Sequence, residues 1–345
     1  MTNMNLSTLI FEVYKKIIFL LPPEKAHEIS LYIADKIYST YLRNFLKPKS
    51  AGQSEKIMGI NFSNKLGLAA GFDKNGDYIN FISNIGFGFI ELGTVTPKPQ
   101  PGNPKPRVHR LPNDQAIINS LGFNNKGVSY LKNRLLSIDR QLPIGINIGK
   151  NSTTKLDKAY EDYEYCMDEI YDLADYITLN ISSPNTERLR ELHTKTYLDT
   201  FLKKIKKKHD VLRKKYLKHK PLILKVSPDI GESELAEFCK LVINYEIDAV
   251  IATNTTIDNR ILKNDSLRGV SGGISGQPLL KKSNKIIEII KEEIGDQVKI
   301  IGVGGIVSKE SAISKLDNGA DLLQMYTGLV YKGTNLIREI TTSIK

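Results

Sequence analysis

Eight short apolar or β-branched runs alternate with segments of helical period and end in polar residues, which predicts an α/β chain: a (β/α)8 TIM barrel with an N-terminal two-helix extension. Three observations carry this. The runs are apolar enough to be buried on both faces, as parallel strands are. They recur from Lys65 to the carboxyl terminus. They are preceded by residues 1–48, a helical stretch of different character, so that the barrel is expected over residues 49–345.

With 345 residues, 41% apolar and 25% charged, the chain can bury a large core and is neither fibrous nor disordered. Its two cysteines, Cys166 and Cys239, are far apart and have no metal-type spacing. They point to a reducing compartment without a disulfide framework. The formal net charge of +11 is concentrated, with ten Lys or Arg residues between Lys203 and Lys220 against one acid, Asp210. Lacking interleaved aromatics, that run reads as a solvated helix face, and no nucleic-acid partner is expected.

At the amino terminus, Leu6, Leu9, Ile10, Val13, Tyr14, Ile17, Ile18 and Leu21 follow the three-four spacing of one helical face. The stretch is too short and too charged to span a bilayer, and it lacks a signal-peptide cleavage site. Pro22-Pro23 stops the helix, and a second one starting near Glu24 carries Ala26, Ile29, Ile33 and Ile37. This hairpin either packs on the barrel or dips into a membrane interface.

Strands are expected at Leu66 to Ala69, Phe89 to Leu92, Ile144 to Ile148, Tyr176 to Leu179, Leu222 to Val226, Ala249 to Thr253, Lys299 to Val303 and Leu322 to Met325. Their carboxyl ends are polar: Ala70-Gly71-Phe72-Asp73-Lys74, Gly93-Thr94, Asn147, Asn180 to Thr186, Lys225, Thr253-Asn254-Thr255, Gly304-Gly305 and Tyr326-Thr327. A barrel's chemistry sits at these ends. Asp73 is the only acid in the ring, so no carboxylate pair for glycoside cleavage is present. His27, His109, His193, His209 and His219 all lie elsewhere, and no metal is expected.

The ring suits a flat, polar, anionic cofactor. Gly276 in Gly272-Gly273-Ile274-Ser275-Gly276, Gly304-Gly305 and Tyr326-Thr327 can offer backbone N–H groups to a phosphate, and all three read as parts of the last two βα units. A fixed cation at Lys225 would stabilise negative charge developing on a reduced flavin.

Asn180-Ile181-Ser182-Ser183-Pro184-Asn185-Thr186, together with Gly67-Leu68-Ala69-Ala70-Gly71-Phe72-Asp73-Lys74-Asn75-Gly76, closely resembles the class 2, quinone-dependent dihydroorotate dehydrogenases. Gly93-Thr94-Val95-Thr96-Pro97, Gly122-Phe123-Asn124-Asn125, Gly145 to Lys150, Asn254-Thr255 and Gln324 to Gly328 extend the resemblance in family order. It implies FMN held by Ala70, Gly71, Phe72, Asp73, Lys74, Thr94, Asn147, Asn180, Lys225, Thr253, Gly276, Gly305, Tyr326 and Thr327. It implies dihydroorotate contacted by Lys74, Asn119, Ser120, Leu121, Gly122, Phe123, Asn180, Asn185, Asn254 and Thr255.

Ser183 matches the catalytic base, where soluble class 1 relatives carry Cys; Thr186 and Phe123 match positions that shape a proton relay. A serine needs a buried site and a relay partner to act as a base. The resemblance also implies a tunnel for a membrane quinone in the hairpin, lined by the Leu9 to Leu21 stripe with Tyr32, Ile33 and Ile37, and with His27 and Arg107 nearby. The expected protein is a monomer, peripheral on the cytoplasmic side of the cell (inner) membrane. Ser120, Glu187-Arg188 and Gln277 depart from the usual family pattern and bear on loop shape. The alternatives are a soluble FMN barrel, resembling class 1 enzymes or tRNA-dihydrouridine synthases, and a non-catalytic basic protein of membrane surfaces.

Overall fold

The computed structural model of the protein describes residues 6–40, 52–186, 189–263 and 269–344. The expected boundary near residue 48 and the departure at Glu187-Arg188 lie outside the described residues. Two helices come first, α1 (Leu6–Ile18) and α2 (Pro23–Tyr38), separated where Pro22 and Pro23 break the helical hydrogen-bond ladder. A small antiparallel pair follows, β1 (Glu55–Ile57) and β2 (Ile60–Phe62). Its two-residue turn, Met58-Gly59, has positive φ at both positions, the geometry that matches the twist of a tight hairpin.

The remaining strands in chain order are β3 (Leu66–Leu68), β4 (Phe89–Val95), β5 (Val108–Leu111), β6 (Ala116–Asn119), β7 (Ile144–Ile148), β8 (Tyr176–Asn180), β9 (Leu222–Val226), β10 (Ala249–Ala252), β11 (Gly273–Gly276), β12 (Lys299–Val303) and β13 (Leu322–Met325). Eight of them close a parallel barrel in the order β3-β4-β7-β8-β9-β10-β12-β13. All eight expected runs are in it. Apart from the partly exposed Lys299, every residue of these eight strands is buried, which is why they read as continuous apolar runs rather than alternating ones.

Inside, small residues face large ones. A Cβ on Gly67 would come within 2.4 Å of the Phe89 ring, and one on Gly145 within 2.0 Å of the Tyr176 ring. Phe89, Tyr176, Ile223, Ile301 and Leu322 fill the lower barrel, and Phe62 of β2 packs edge-on against Phe89 from below, ring centres 5.0 Å apart. Full burial of a phenylalanine contributes about 1.5–3 kcal/mol, so this floor is a major store of stability. The open side of the barrel is therefore the other end.

That end is roofed by a sheet absent from the sequence expectation, β11-β6-β5, all antiparallel. It corrects one reading: Gly276 ends β11, in the connection after the sixth barrel strand β10, rather than in either of the last two βα units. Strand β11 returns across the mouth, so Gly276 still reaches the ring. The basic run maps onto the helix Lys195–Tyr216, whose apolar face (Leu198, Phe201, Leu202, Ile205) is buried and whose lysines mostly face outward. No described helix is long and apolar enough to cross a membrane.

Candidate active site

A cavity of about 820 Å³ runs from the carboxyl ends of the barrel strands to the inner faces of α1 and α2. Its barrel end is walled by nearly all of the residues singled out from sequence: Ala70 to Lys74, Thr94, Asn119, Leu121 to Phe123, Asn180, Ser183, Asn185, Lys225, Thr253 to Thr255, Gly276, Gly305, Tyr326 and Thr327. Two of the expected contacts do not reach the wall. Asn147 is fully buried one layer down, where it accepts from the Thr94 hydroxyl at 2.5 Å. Ser120 is held by its backbone, its N–H on Arg107 O and its carbonyl on Asn103 Nδ2.

Each wall is shaped by local chemistry. The loop after β3 turns on Asp73, whose buried carboxylate accepts from the backbone N–H of Asp77 and Tyr78 at 2.9 and 2.8 Å. Burial pushes this carboxyl up to about 6 against those bonds. Lys74 donates to Gly71 O at 3.0 Å and is half-buried at the cavity wall. Desolvation brings its ammonium down to about 8, with Glu24 opposing and Arg107 assisting.

Across the mouth the amides interlock. Asn180 Nδ2 donates to Thr94 Oγ1 at 2.9 Å, and Asn254 Nδ2 donates to Asn180 Oδ1 at 3.2 Å and to Ser182 Oγ at 2.9 Å. Asn185 Nδ2 donates to Asn119 O at 3.0 Å. Ser183 is 5% exposed, and its Oγ accepts from Asn185 N at 3.3 Å. Three residues on, the buried hydroxyl of Thr186 has no hydrogen-bond partner among the described residues.

Two features fit a planar anionic cofactor. The ammonium of Lys225 is enclosed at the cavity wall with no hydrogen-bond acceptor among the described residues; burial lowers its pKa, and only Glu91 opposes that. Gly276 and Gly305 both have positive φ, and a Cβ on either would collide with backbone, at 2.2 Å from Gln115 O and 2.4 Å from Leu280 Cα. They bring bare backbone up to the cavity beside the start of the helix Leu280–Ile294, which no side chain caps.

The hairpin end is lined differently from the sequence expectation. Phe11, Tyr14, Ile18, Phe19, His27, Ile29 and Tyr32 reach the cavity, while Leu9, Ile10, Val13, Ile17, Leu20, Ile33 and Ile37 face outward and are more than a third exposed. The stripe read from sequence is wide enough to have two sides, and only one of them is the lining. His27 Nε2 donates to Phe72 O at 2.8 Å, which fixes its tautomer because a carbonyl only accepts. Burial, reinforced by Lys74, lowers its pKa to about 4. Arg107 does not line the cavity: it grips Glu24 of α2 through Nε and Nη2 at 2.9–3.2 Å and two carbonyls of its own loop. Sequence reading missed Arg110, whose guanidinium stacks over Phe19 and bonds the carbonyls of Phe19 and Leu21. It also missed Glu91, mid-strand in β4, where an acid in an apolar run was the available signal.

Fold and site together define a barrel oxidoreductase of the flavin-binding kind, with a polar pocket at the strand ends and an apolar annex. The chain belongs to the dihydroorotate dehydrogenase family, whose model matches residues 53–345. It is 48% identical over 337 residues to a dihydroorotate dehydrogenase (quinone) of Buchnera aphidicola, covering 97% of this chain and 100% of that one. It is 44% identical to one from Legionella pneumophila, covering 97% and 99%. Ligand-free dihydroorotate dehydrogenase of Eimeria tenella superposes with a TM-score of 0.83 at 33% identity, covering 92% of this chain and 93% of that chain.

Proposed function

We propose that the protein oxidises (S)-dihydroorotate to orotate in pyrimidine biosynthesis and delivers the electrons to a quinone. One observation carries this reading beyond family membership: the polar mouth and the apolar annex are two ends of a single cavity, so both electron donor and electron acceptor can reach one buried cofactor. FMN is the cofactor we assign. The Gly276 and Gly305 backbones would hold its phosphate, Lys225 its ring, and Thr94, Asn180, Lys74 and Thr253 its polar edge. When bound, FMN supplies the acceptor for the C6 hydride and can pass the electrons on to a quinone.

The chain's own residues then have separable tasks. Lys74 supplies a cation for the substrate carboxylate, and Asn119, Asn185, Asn254 and Thr255 offer amide and hydroxyl groups suited to a pyrimidine edge. Ser183 takes the C5 proton. Its Oγ accepts from Asn185 N, and the Thr186 hydroxyl, which has no hydrogen-bond partner among the described residues, is our candidate to take the proton onward through a water. Phe123 and the β5-β6-β11 roof keep bulk water out.

The outward face of the hairpin supports peripheral attachment to the cytoplasmic side of the cell membrane: Leu9, Ile10, Val13, Ile17 and Leu20 form an exposed apolar strip beside basic Lys16, with Ile33 and Ile37 on α2. We assign residues 1–48 to quinone access and 49–345 to the chemistry, a division that the two ends of the cavity support. One assay tests the whole reading. Anaerobic dihydroorotate should bleach the flavin, and ubiquinone or menaquinone should restore it faster than fumarate or NAD; restoration by fumarate or NAD alone would assign the chain to the soluble type.

A further inference from the structure

Beneath the mouth lies one carboxylate that none of these tasks uses. Glu91 is fully buried inside the barrel, where it accepts hydrogen bonds from Asn147 Nδ2 and Gln324 Nε2, both at 2.8 Å, and from Tyr176 OH and Thr178 Oγ1, both at 3.2 Å. We propose that Glu91 is a positioning residue for substrate recognition: through Asn147 and Thr94 it holds the edge that the mouth amide Asn180 turns toward the ligand. This rests on the reading that the mouth binds dihydroorotate and orotate.

The argument is one of donor and acceptor direction. A primary amide can flip, exchanging a donor for an acceptor at almost no change of shape, so an asparagine reads a pyrimidine edge reliably only if something fixes its flip. A carboxylate only accepts. Asn147 must therefore aim Nδ2 at Glu91 and Oδ1 upward, where Thr94 donates its single hydroxyl proton to it at 2.5 Å. With that proton used, Thr94 Oγ1 is left to accept, and Asn180 supplies Nδ2 at 2.9 Å. Asn180 Oδ1 then receives Asn254 Nδ2 at 3.2 Å, and Asn254 Oδ1 receives Thr255 N at 2.8 Å. The Ser182 N–H, which donates to Asn180 Oδ1 at 3.4 Å, and the Thr255 N–H hold the same sense from the far end, so the short bonds from β4 up to Asn180 are the part that Glu91 sets.

A second observation points the same way. Among the described residues, Glu91 is the charged side chain whose field opposes the effect of burial on Lys225 at the cavity wall. A glutamine at 91 would keep the shape but could face Asn147 with either end. Asn147 and Thr94 could then turn either way, and Asn180 would be mispaired with its support or with the substrate in part of the population.

The test uses the full chain loaded with FMN, after dihydroorotate has been seen to reduce the parent, so that failure of the underlying reading is recognised first. Orotate affinity is read from the perturbation of the flavin absorbance. Glu91→Gln should keep its flavin and bind orotate roughly 10- to 100-fold more weakly, the effect of leaving one or two polar groups mispaired. Tyr176→Phe removes one donor to Glu91 without altering its acceptor character, and should stay within about threefold of the parent. Orotate binding by Glu91→Gln within threefold of the parent, or an equal loss in Tyr176→Phe, overturns the proposal. If Glu91→Gln loses its flavin, Asn147→Leu carries the test by breaking the relay between an intact Glu91 and Thr94, one layer below the cavity wall. There a loss of about tenfold or more is expected, and a loss below threefold overturns it.

Discussion

Around Thr94 and Asn180 the side chains bond to other buried polar groups of the barrel, whereas α1 and α2 reach the barrel through a few separate latches. Beside the packing of Leu31 into the core and of Phe19 on Tyr331, these include the Arg107–Glu24 ion pair at 2.9 Å, Arg110 on the carbonyls of Phe19 and Leu21, Lys15 on Tyr331 O at 3.1 Å and His27 on Phe72 O at 2.8 Å. The mouth is thus a connected network in which changing one member reorients the next, and the annex is a clip-on wall whose contacts act one by one. The difference teaches where the proposed reaction can be divided: proton and hydride removal would depend on the network, and acceptor access on the wall.

The largest expected effect breaks the network side alone. Ser183→Ala should slow dihydroorotate-driven flavin reduction by about 10²–10⁴-fold, the range for loss of a general base, with flavin content unchanged. Stopped-flow absorbance checks this, and near-parental reduction would remove Ser183 from the mechanism.

Removing the wall should do the converse. Deletion of residues 1–45 should leave flavin reduction by dihydroorotate within about threefold while lowering kcat/KM for quinone by about a hundredfold, because only acceptor binding has been removed. Equal loss in both half-reactions would show that the hairpin also supports the mouth.

The smallest effect concerns one latch and pH. His27 is held neutral, with its pKa lowered to about 4, while Lys74 and Glu24 are the charged groups whose fields reach it. Between pH 6.5 and 4 the unfolded chain binds a proton there that the folded chain does not, so this residue's contribution to stability is present above that window and is lost as pH falls through it. Asp73, raised to about 6, acts in the opposite sense over pH 4–6 but is common to parent and variant. Relative to His27→Gln, the parent should lose about 1 kcal/mol between pH 7 and 5.5. Thermal melts of both proteins at the two pH values check it; parallel melts would mean that the histidine is free to protonate where it sits.

Much of this molecule could be read from its residues in order. The eight strands were legible because parallel strands buried on both faces leave unbroken apolar runs such as Leu222-Ile223-Leu224, and the mouth was legible because those runs stop abruptly at Gly, Asn, Thr or Lys. Strand identity and strand-end chemistry are local properties, written within five or six residues. The roof β5-β6-β11 was not legible, since its strands are only four residues long, β5 is half-buried, and β6 pairs with β11 across more than 150 positions, Asn119 with Gly273. The hairpin periodicity located two helices but not which residues line the cavity, because Tyr14 and Val13 are neighbours on one broad stripe and only docking against Phe72 and Arg110 separates inside from outside.

What the sequence determined by itself was the barrel, its ring of polar strand ends and the place of Ser183, the serine we propose takes the proton. What only the tertiary structure decided was direction: which side of α1 faces the cavity, and which way each amide of the mouth is turned. The physical reason is that an asparagine or an apolar stripe is symmetric in the sequence, and only a neighbour brought from far along the chain, such as Glu91 beneath Asn147, makes its two sides different.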